Sequence, residues 1–593
     1  MSHYQAPIKD ILFLLNSVFE RSALSDIPEL ADFSPDLIGA VLEEAGKFAT
    51  GVLAPLNLAG DQQGCRFDAG QVRTADGWID AYKQFCDGGW MGLALPEAYG
   101  GQALPSFIAM PVNEMWNSAN LSFEMLHTLT QGGSEILLSV GTEAQKARYL
   151  EQLVSGNWTV AMALTEPAAG SDLGAITTRA IPCEDGSYQI KGQKIFISYG
   201  EHDVAENIIH LVLARTPDAP QGSRGISLFA VPKYRINADG NLGDANDVAC
   251  ISIEHKTGLH GSPTCSMSYG DKNACFGELI GTENRGLAAM FILMNAARLS
   301  TGLQGVAIGE MGYQRALEYA QERVQGTDIE TGKKRVAIVE HPDVARMLLG
   351  IRSQVMALRS LAYLIAARID QAELSKNEQT RQRMSSSVAL LTPVFKAFAT
   401  ESANLMAGTT IQIFGGMGFV EETGVAQLMR DSRITTIYEG ATGIQAKDLL
   451  FRKIAADKGA ALNELLSEIK QDGETLAGID NFTTLAETLL GACREVARMS
   501  ERVVQAEQDD QLSLHAGSLP MLEAIGILCC SWQLGRMALA AHQKLVAGDD
   551  PVYHGNLVAL TRFYFAHFTP RLQSLAQTFY QADAGLKDYQ FAV

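Results

Sequence analysis

At 593 residues, with 47% apolar residues and a mean hydropathy of +0.02, the chain is long enough for several domains and has the balance of an ordinary soluble globular protein. Its formal charge is −20, from 47 Lys and Arg against 67 Asp and Glu. No cationic surplus exists to replace phosphate counterions, which argues against a nucleic-acid partner. Nine scattered cysteines, of which only Cys529 and Cys530 are adjacent, form no CxxC pair; this suits reduced thiols and a cytoplasmic location.

Near the start, the apolar run Ile11 to Leu15 is preceded by Lys9, offset by Asp10, and no small-residue cleavage site follows, so a signal peptide is not expected. No continuous run approaches the ~18 apolar residues that span a bilayer. The longest candidate, Ala524 to Trp532, has the length of a buried helix segment. Residues 1–158 read as helical, with helical spacing in Leu37 to Leu42 and Ile136 to Val140 and a turn-rich loop at Gly92 to Gly101. From about 159 to 282 the period shortens. Tyr188 to Ile190, Ile195 to Ile197, Ile208 to Leu213 and Ile226 to Val231 are short strands bounded by Gly, Asp, Pro and Asn. With no helices between them they predict an antiparallel barrel or sandwich, not a doubly wound parallel sheet.

Helices return over 283–455. Gly302, Gly305 and Gly309 within Met290 to Gln321 would let another helix pack closely. Neither they nor Gly415-Gly416-Met417-Gly418 make a dinucleotide fingerprint, because no strand precedes them. His255, His260 and Cys265 have metal-like spacing but lack a fourth ligand, so no metal site is expected. Residues 456–593 form a further helical block with apolar stripes over Leu485 to Gln505, Leu519 to Val546 and Leu557 to Gln581, broken at Asp509-Asp510 and Gly548 to Pro551. It is expected to pack on the core or on a second subunit. Membrane-surface attachment is not expected, since no helix there has a strongly basic face. The predicted fold is α+β, mainly α, with a helical domain (1–158), a middle β domain (159–282), a helical bundle (283–455) and an extra C-terminal helical domain (456–593).

Two stretches carry chemistry. Leu164 to Asp172 (LTEPAAGSD) reads as a loop after a strand, and offers backbone N–H groups and two hydroxyls to an anionic or carbonyl-bearing ligand; the bland alternative is an ordinary turn. Around Glu439, the run Met429 to Gly440 (MRDSRITTIYEG) sits between two helical patterns. Glu439 reads either as a helix-start carboxylate favoured by the helix dipole or as a carboxylate at a cleft edge, where Gly440 lets the backbone bend sharply.

Together with Ile413 to Phe419 (IFGGMGF) and Lys194 to Ser198 (KIFIS), these stretches occur in the order and spacing of the acyl-CoA dehydrogenase family, which the chain resembles over about positions 85–452. Tyr4-Gln5-Ala6-Pro7 and the helix after it are similar to an N-terminal extension of a long subgroup that includes the 3-methylmercaptopropionyl-CoA dehydrogenases. The resemblance implies an FAD-dependent enzyme that desaturates an acyl-CoA thioester at the α,β bond, with Glu439 as catalytic base. A second family location for the base is Ala297 here, which cannot accept a proton. Leu164 and Thr165 would face the flavin ring, and Ser171 would lie near the phosphates and the thioester-bearing arm of CoA. Phe196, Ile197 and Ser198 stand in the flavin-facing strand, where Phe196 replaces the usual Trp and Ser198 the usual Thr. Phe196 keeps a stacking face but loses an N–H donor. Arg323, Gln412, Gly415 and Gly416 would reach the cofactor from a neighbouring subunit, in a segment where the usual RxxFG is reduced and an insert follows. Thr442 follows the base; Ala441 and Gly443 lose side-chain contacts that backbone N–H groups at the helix start would replace. Asn295 and Arg298, at the start of a helix, and Gly440 would meet the substrate. The implied partners are acyl-CoA, of medium to long straight chain or a short thioether, an electron-transfer flavoprotein and a second copy of the chain. An acyl-CoA oxidase using O₂, and a non-catalytic flavin- or CoA-binding relative, are the rival readings.

Overall fold

The structure, a computed structural model, describes residues 4–19, 27, 33–506 and 510–591. Asp509, expected to break the C-terminal block, lies outside them. Two compact units divide the chain: Phe48–Pro105 with Ala119–Ser300, and Met1–Lys47 with Ser106–Ser118 and Thr301–Val593.

The first unit holds the β structure. A hairpin of β1 (Arg66–Asp68) and β2 (Gln71–Arg73) interrupts a stretch that reads as helical. Ala69 (φ 51°) and Gly70 (φ 85°) turn it, and two three-residue strands are too short to show a period. The main sheet takes β3 (Trp158–Ala163), β4 (Arg179–Pro182), β5 (Tyr188–Ser198), β6 (Asn207–Ala214) and β7 (Ser227–Pro232). A small pair, β8 (Tyr234–Ile236) and β9 (Leu242–Ala245), stands apart, and β10 (Val248–Ile253), β11 (Thr264–Tyr269) and β12 (Phe276–Ile280) complete the sheet. The order is β10-β11-β5-β12-β7-β6-β3, with β4 on β5. Pairing is antiparallel except between β3 and β6. The two expected strands at 188–190 and 195–197 are one strand, β5. β8 to β12 escape sequence reading because several of their residues are polar and exposed, as in β9 and β10.

All eight residues of β6 are buried, because both sheet faces are covered. Ile209, Leu211 and Leu213 join Val160 and Leu228 against Ile136, Leu137 and Leu150 of the helices Leu121–Val140 and Glu143–Val154. Ile208, Val212 and Ala214 face the other way, onto Ile190, Ile197, Cys265 and Met267. The period-2 alternation thus serves two cores from one strand.

The second unit is built on long helices. A Cβ on Gly305 would lie 2.5 Å from the Ala399 carbonyl oxygen, so the helices Gly286–Glu322 and Glu378–Phe414 approach as the glycine spacing predicts. The first of these starts at Gly286, so Asn295-Ala296-Ala297-Arg298 lies inside it and does not begin it. Asn295 is a favoured helix-start residue, but its side-chain oxygen accepts from Arg298 Nη1 at 3.4 Å. The C-terminal block consists of Ala460–Ala477, Thr483–Gln505, Gln511–Val546, Pro551–His567 and Arg571–Tyr580. The single stripe read over 557–581 is two helices, because Pro570 cannot continue the first and caps the second. Arg368 to Glu468 (2.5 Å) and Trp532 Nε1 to Asp472 (2.6 Å) tie the block to the helix Pro342–Leu374 and within itself.

Gly286–Glu322, Pro342–Leu374 and Gln511–Val546 contain 18-residue windows of mean hydropathy 1.3, 1.2 and 1.4, enough by length and composition to cross a membrane. This corrects the reading that no segment is apolar enough. Leu, Ile, Met and Ala raise the mean, while the Gly, Ser and other polar residues among them break any continuous apolar run. The windows are 56%, 78% and 67% buried within the protein.

Candidate functional site

In the β unit, the Leu164 to Asp172 loop leaves β3 and is clamped to β5. Lys194 Nζ donates to the Leu164 carbonyl and to Glu166 Oε1, both at 2.9 Å, and Ile195 N–H donates to the Thr165 carbonyl at 2.9 Å. Glu166 also accepts from the N–H and hydroxyl groups of Thr177 and Thr178. Burial opposes charge on Glu166, but Lys194 and these donors outweigh it and hold its pKa at about 2. Burial brings Lys194 down to about 8 despite its partner. This pair, separated by 28 positions in sequence, is a site feature the motifs quoted did not reveal.

The clamp shapes the end of β5. Between the pairs Met267–Lys194 and Cys265–Ile197, two β5 residues oppose one of β11, so Ile195 and Phe196 form a bulge. Phe196 takes φ 59°, a left-handed conformation rare for a bulky residue, and is 59% exposed. Ile197 beside it is buried, and Ser198 and Thr165 are half-buried. The hydroxyls of Thr165 and Ser198 bond to no described residue. An outward-facing ring between two unused, half-buried hydroxyls, beside a pinned loop, suits a planar polar ring system such as a flavin. Ser171 is exposed, and Asp172 caps the turn after it, accepting from Gly174 N–H at 3.0 Å.

Glu166 gives the loop an acid-sensitive anchor. Its folded pKa of about 2 lies below its ordinary 4.5, so the unfolded chain takes up the proton first as pH falls. The stability it contributes is whole above pH 4.5 and is lost as pH falls towards 2. Over that window the melting temperature of the wild type is expected to fall more steeply than that of Glu166→Gln.

In the helical unit, Glu439 stands outside the helix Thr442–Lys447, in a closed turn, and is not a helix-start residue. Thr442 N–H donates to the Thr436 carbonyl at 3.0 Å and closes the turn. At its tip Glu439 (φ 56°) and Gly440 (φ 93°) are both left-handed. Glu439 is half-buried. Gln445 Nε2 donates to the carbonyls of Glu439 (3.0 Å) and Gly440 (3.2 Å), and Lys396 Nζ donates to the Gly440 carbonyl at 2.9 Å. Tyr438 OH donates to Gln304 Oε1. Thr442, an expected cofactor contact, turns its hydroxyl to Glu401 Oε1 at 2.6 Å.

The same unit has a cleft of about 440 Å³ lined by Tyr319, Arg323, Ile338, Phe414, Gly415 and Gly416, among others. Tyr319 and Phe414 stack at 4.2 Å. The Arg323 side chain is exposed and has no ion pair among the described residues, and a Cβ on Gly416 would meet open space. A lone guanidinium beside bare backbone suits an anionic group. Gln412 is exposed nearby on the same helix but is not part of this lining. The insert after Arg323 is a hairpin, with bridges Val324–Ala337 and Thr327–Lys334. In the β unit, Asn295 is exposed and Arg298 is buried on the helix Gly286–Glu322. Of the metal-like trio, His260 bonds Asp61 at 3.0 Å while Cys265 points to the Glu201 carbonyl; among the described residues no three His, Cys, Asp or Glu side chains gather as metal ligands.

Comparison with known proteins accounts for the chain almost end to end. Residues 39–157, 161–271 and 284–453 match the acyl-CoA dehydrogenase N-terminal, middle and C-terminal domains, and 462–589 match a domain described as acetyl-CoA dehydrogenase C-terminal like. The chain belongs to the acyl-CoA dehydrogenase family, in the form with an extra C-terminal helical domain: an FAD-dependent oxidoreductase acting on the CH–CH bond of an acyl-CoA. Among its relatives, the 3-methylmercaptopropionyl-CoA dehydrogenase of Ruegeria pomeroyi is 43% identical over 92% of this chain and 93% of its own. The broad-specificity linear acyl-CoA dehydrogenase FadE5 of Mycobacterium tuberculosis is 33% identical over 97% of each chain. The acyl-CoA dehydrogenase from Bacillus anthracis, solved in complex with FAD, shares the fold with a TM-score of 0.75 over 96% of this chain and 91% of its own, at 20% identity.

Proposed function

We propose that this enzyme introduces the α,β double bond of an acyl-CoA thioester with Glu439 as the base. The observation that carries this reading is the Glu439–Gly440 turn, a carboxylate held half-buried in a left-handed conformation that three side-chain hydrogen bonds fix from behind. Such strain at a carboxylate marks a position set for chemistry. The thioester α-proton is far too weakly acidic for a free carboxylate at neutral pH. Stabilising the thioester oxygen as negative charge develops, with the Glu439 N–H as one donor, lowers that barrier. Desolvating the carboxylate strengthens it as a base. The β-hydrogen would leave as hydride, for which FAD, when bound, would supply the acceptor. Leu164, Thr165, Ser171, Phe196, Ile197 and Ser198 would hold the flavin side of the cofactor. Arg323, Gln412, Gly415 and Gly416 would hold its diphosphate side, whereas both donors of Thr442 are engaged within the turn, by Thr436 and Glu401; Asn295, Arg298, Ser171 and Gly440 would meet the CoA ester.

For the substrate, the 43% identical relative supports a short thioether acyl-CoA, 3-methylmercaptopropionyl-CoA. The FadE5 likeness supports the straight-chain reading, medium to long, as the second candidate. The test is anaerobic bleaching of the flavin by a series of acyl-CoA esters. The apparent second-order rate constant of flavin reduction is expected to be at least ~10-fold higher for 3-methylmercaptopropionyl-CoA than for palmitoyl-CoA, a floor set by what a hydrophobic pocket achieves for even one methylene. The reverse order rejects the short substrate in favour of the straight chain. An electron-transfer flavoprotein is the proposed acceptor and the cytoplasm the proposed site of action, in line with nine free thiols. Exposed Leu405, Met417, Phe419 and Met429 support a homodimer as the working form.

A further inference from the structure

We propose that Lys396 is a positioning residue that sets the orientation of Glu439 by holding the peptide beside it; this rests on the reading of Glu439 as base. Lys396 is fully buried on the helix Glu378–Phe414, and its ammonium donates to the Gly440 carbonyl at 2.9 Å. A buried ammonium needs strong acceptors, and one that Lys396 meets is the backbone immediately after the base. The same helix holds the rest of the segment from one face. Glu401 accepts the Thr442 hydroxyl at 2.6 Å, and Asn404 donates to the Ser432 carbonyl at 3.1 Å while accepting from the Ser432 hydroxyl at 3.3 Å. Lys396, Glu401 and Asn404 lie within about three turns of that helix, so one rigid element holds the whole segment.

The two carbonyls of the tip, those of Glu439 and Gly440, are turned inward onto Gln445 and Lys396. The Glu439–Gly440 peptide is thus held by Gln445 and the Gly440–Ala441 peptide by Lys396 and Gln445, and because each unit is planar the two together set ψ of Glu439 and with it the direction in which its side chain leaves the turn. Without the Lys396 donor, the Gly440 carbonyl keeps only its 3.2 Å bond from Gln445, which also serves the Glu439 carbonyl, and the Gly440–Ala441 peptide can flip about ψ of Gly440, which glycine allows. Such a flip reorients Glu439 while leaving the surrounding helices and the cofactor residues of the β unit in place. The consequence falls on proton abstraction, not on binding.

The test compares purified, FAD-loaded wild type with Lys396→Met and Lys396→Arg. It measures flavin reduction at saturating acyl-CoA, KM, exchange of the substrate α-proton with D₂O, FAD content and melting temperature. Lys396→Met, which fills the space but cannot donate, is expected to lose about 10- to 100-fold in both reduction rate and α-proton exchange, the scale of a misplaced reacting group. KM is expected to stay within about 3-fold, with FAD content and melting temperature kept. Lys396→Arg, which keeps donor and charge, is expected to recover most of the rate. An unchanged rate, a loss confined to KM, or no recovery with Arg overturns the proposal. If Lys396→Met does not fold, Gln445→Leu replaces it, removing the other donor to the same carbonyls, and the same rate-only loss is required. Glu439→Gln is run alongside: retained activity there sinks the assignment of the base itself, separately from any result at Lys396.

Discussion

Glu439→Gln is expected to bind acyl-CoA and FAD as the wild type does and to lose flavin reduction almost completely. The amide matches the carboxylate in shape, so the turn at 436–442, closed by backbone and side-chain bonds to carbonyl groups, keeps its form. What disappears is the proton acceptor. A positioned general base contributes ~10²- to 10⁴-fold, and the weak acidity of the α-proton places this loss at the upper end. KM should change little, because the backbone N–H that would meet the thioester oxygen remains. Glu439→Asp separates base strength from reach: it keeps a carboxylate but withdraws it by one methylene, and a displacement of that size costs ~10²-fold. Stopped-flow recording of flavin bleaching in both variants is the measurement. A Glu439→Gln enzyme within ten-fold of wild type would remove the base from this residue, leaving the FAD-dependent class intact.

Arg359→Met is expected to be among the most damaging single substitutions away from the site. Arg359 is fully buried and bonds Glu114 (2.6 and 2.7 Å) and Glu310 (2.7 Å). Tyr363 OH adds a bond to Glu114 at 2.6 Å, Arg352 reaches Glu310 at 3.4 Å, and Arg352 also pairs with Asp10. Burial works against the Arg359 charge, but Glu114 and Glu310 outweigh it and push its pKa well above the ordinary arginine value. On Glu310 burial works against ionisation, and Arg359 with Arg352 prevails, holding the carboxyl below its usual range. Removing Arg359 leaves three buried carboxylates, Glu114, Glu310 and Asp10, with Arg352 as the one guanidinium of the cluster among the described residues. Breaking a buried pair from one side costs about 3–5 kcal/mol. A fall in melting temperature should show this, and adding Glu114→Gln should recover part of it, since the orphaned charge goes too. If the double variant is no better than the single, the loss is one of packing.

How much of this was legible in the sequence follows from the range over which each feature acts. The Leu164 to Asp172 loop and the Met429 to Gly440 stretch are local: hydroxyls, glycines and a carboxylate within a dozen positions disclose a site. The short apolar run of β6 and the glycine spacing at 302–309 disclosed strand and helix contact because these patterns are local too. Lys194 with Glu166, and Lys396 with Gly440, act across 28 and 44 positions, and a lysine inside an apolar helix gives no sign of which carbonyl it will meet. The left-handed Phe196 was unreadable for a related reason: a bulge depends on the register of β11 against β5, which is set by the partner strand. Asn295 misled because its cap preference is real but was overruled by a helix that begins at Gly286.

One feature of the helical unit reaches into biosynthesis. Lys9 pairs with Asp550 at 2.6 Å, the Tyr553 hydroxyl donates to Asp10 at 2.9 Å, and Phe13 meets the Tyr553 ring edge-on at 5.8 Å. A ribosome adds roughly 5–20 residues per second, so positions 9–13 must wait on the order of half a minute to two minutes for the residues they dock against. Throughout that time Phe13, buried in the finished protein beside the apolar Ile11, Leu14 and Leu15, lacks the Tyr553 and His554 rings it packs against. The apolar surface of this stretch is open to chaperones, and a nascent chain stalled before position 550 presents it as a mark of incompleteness.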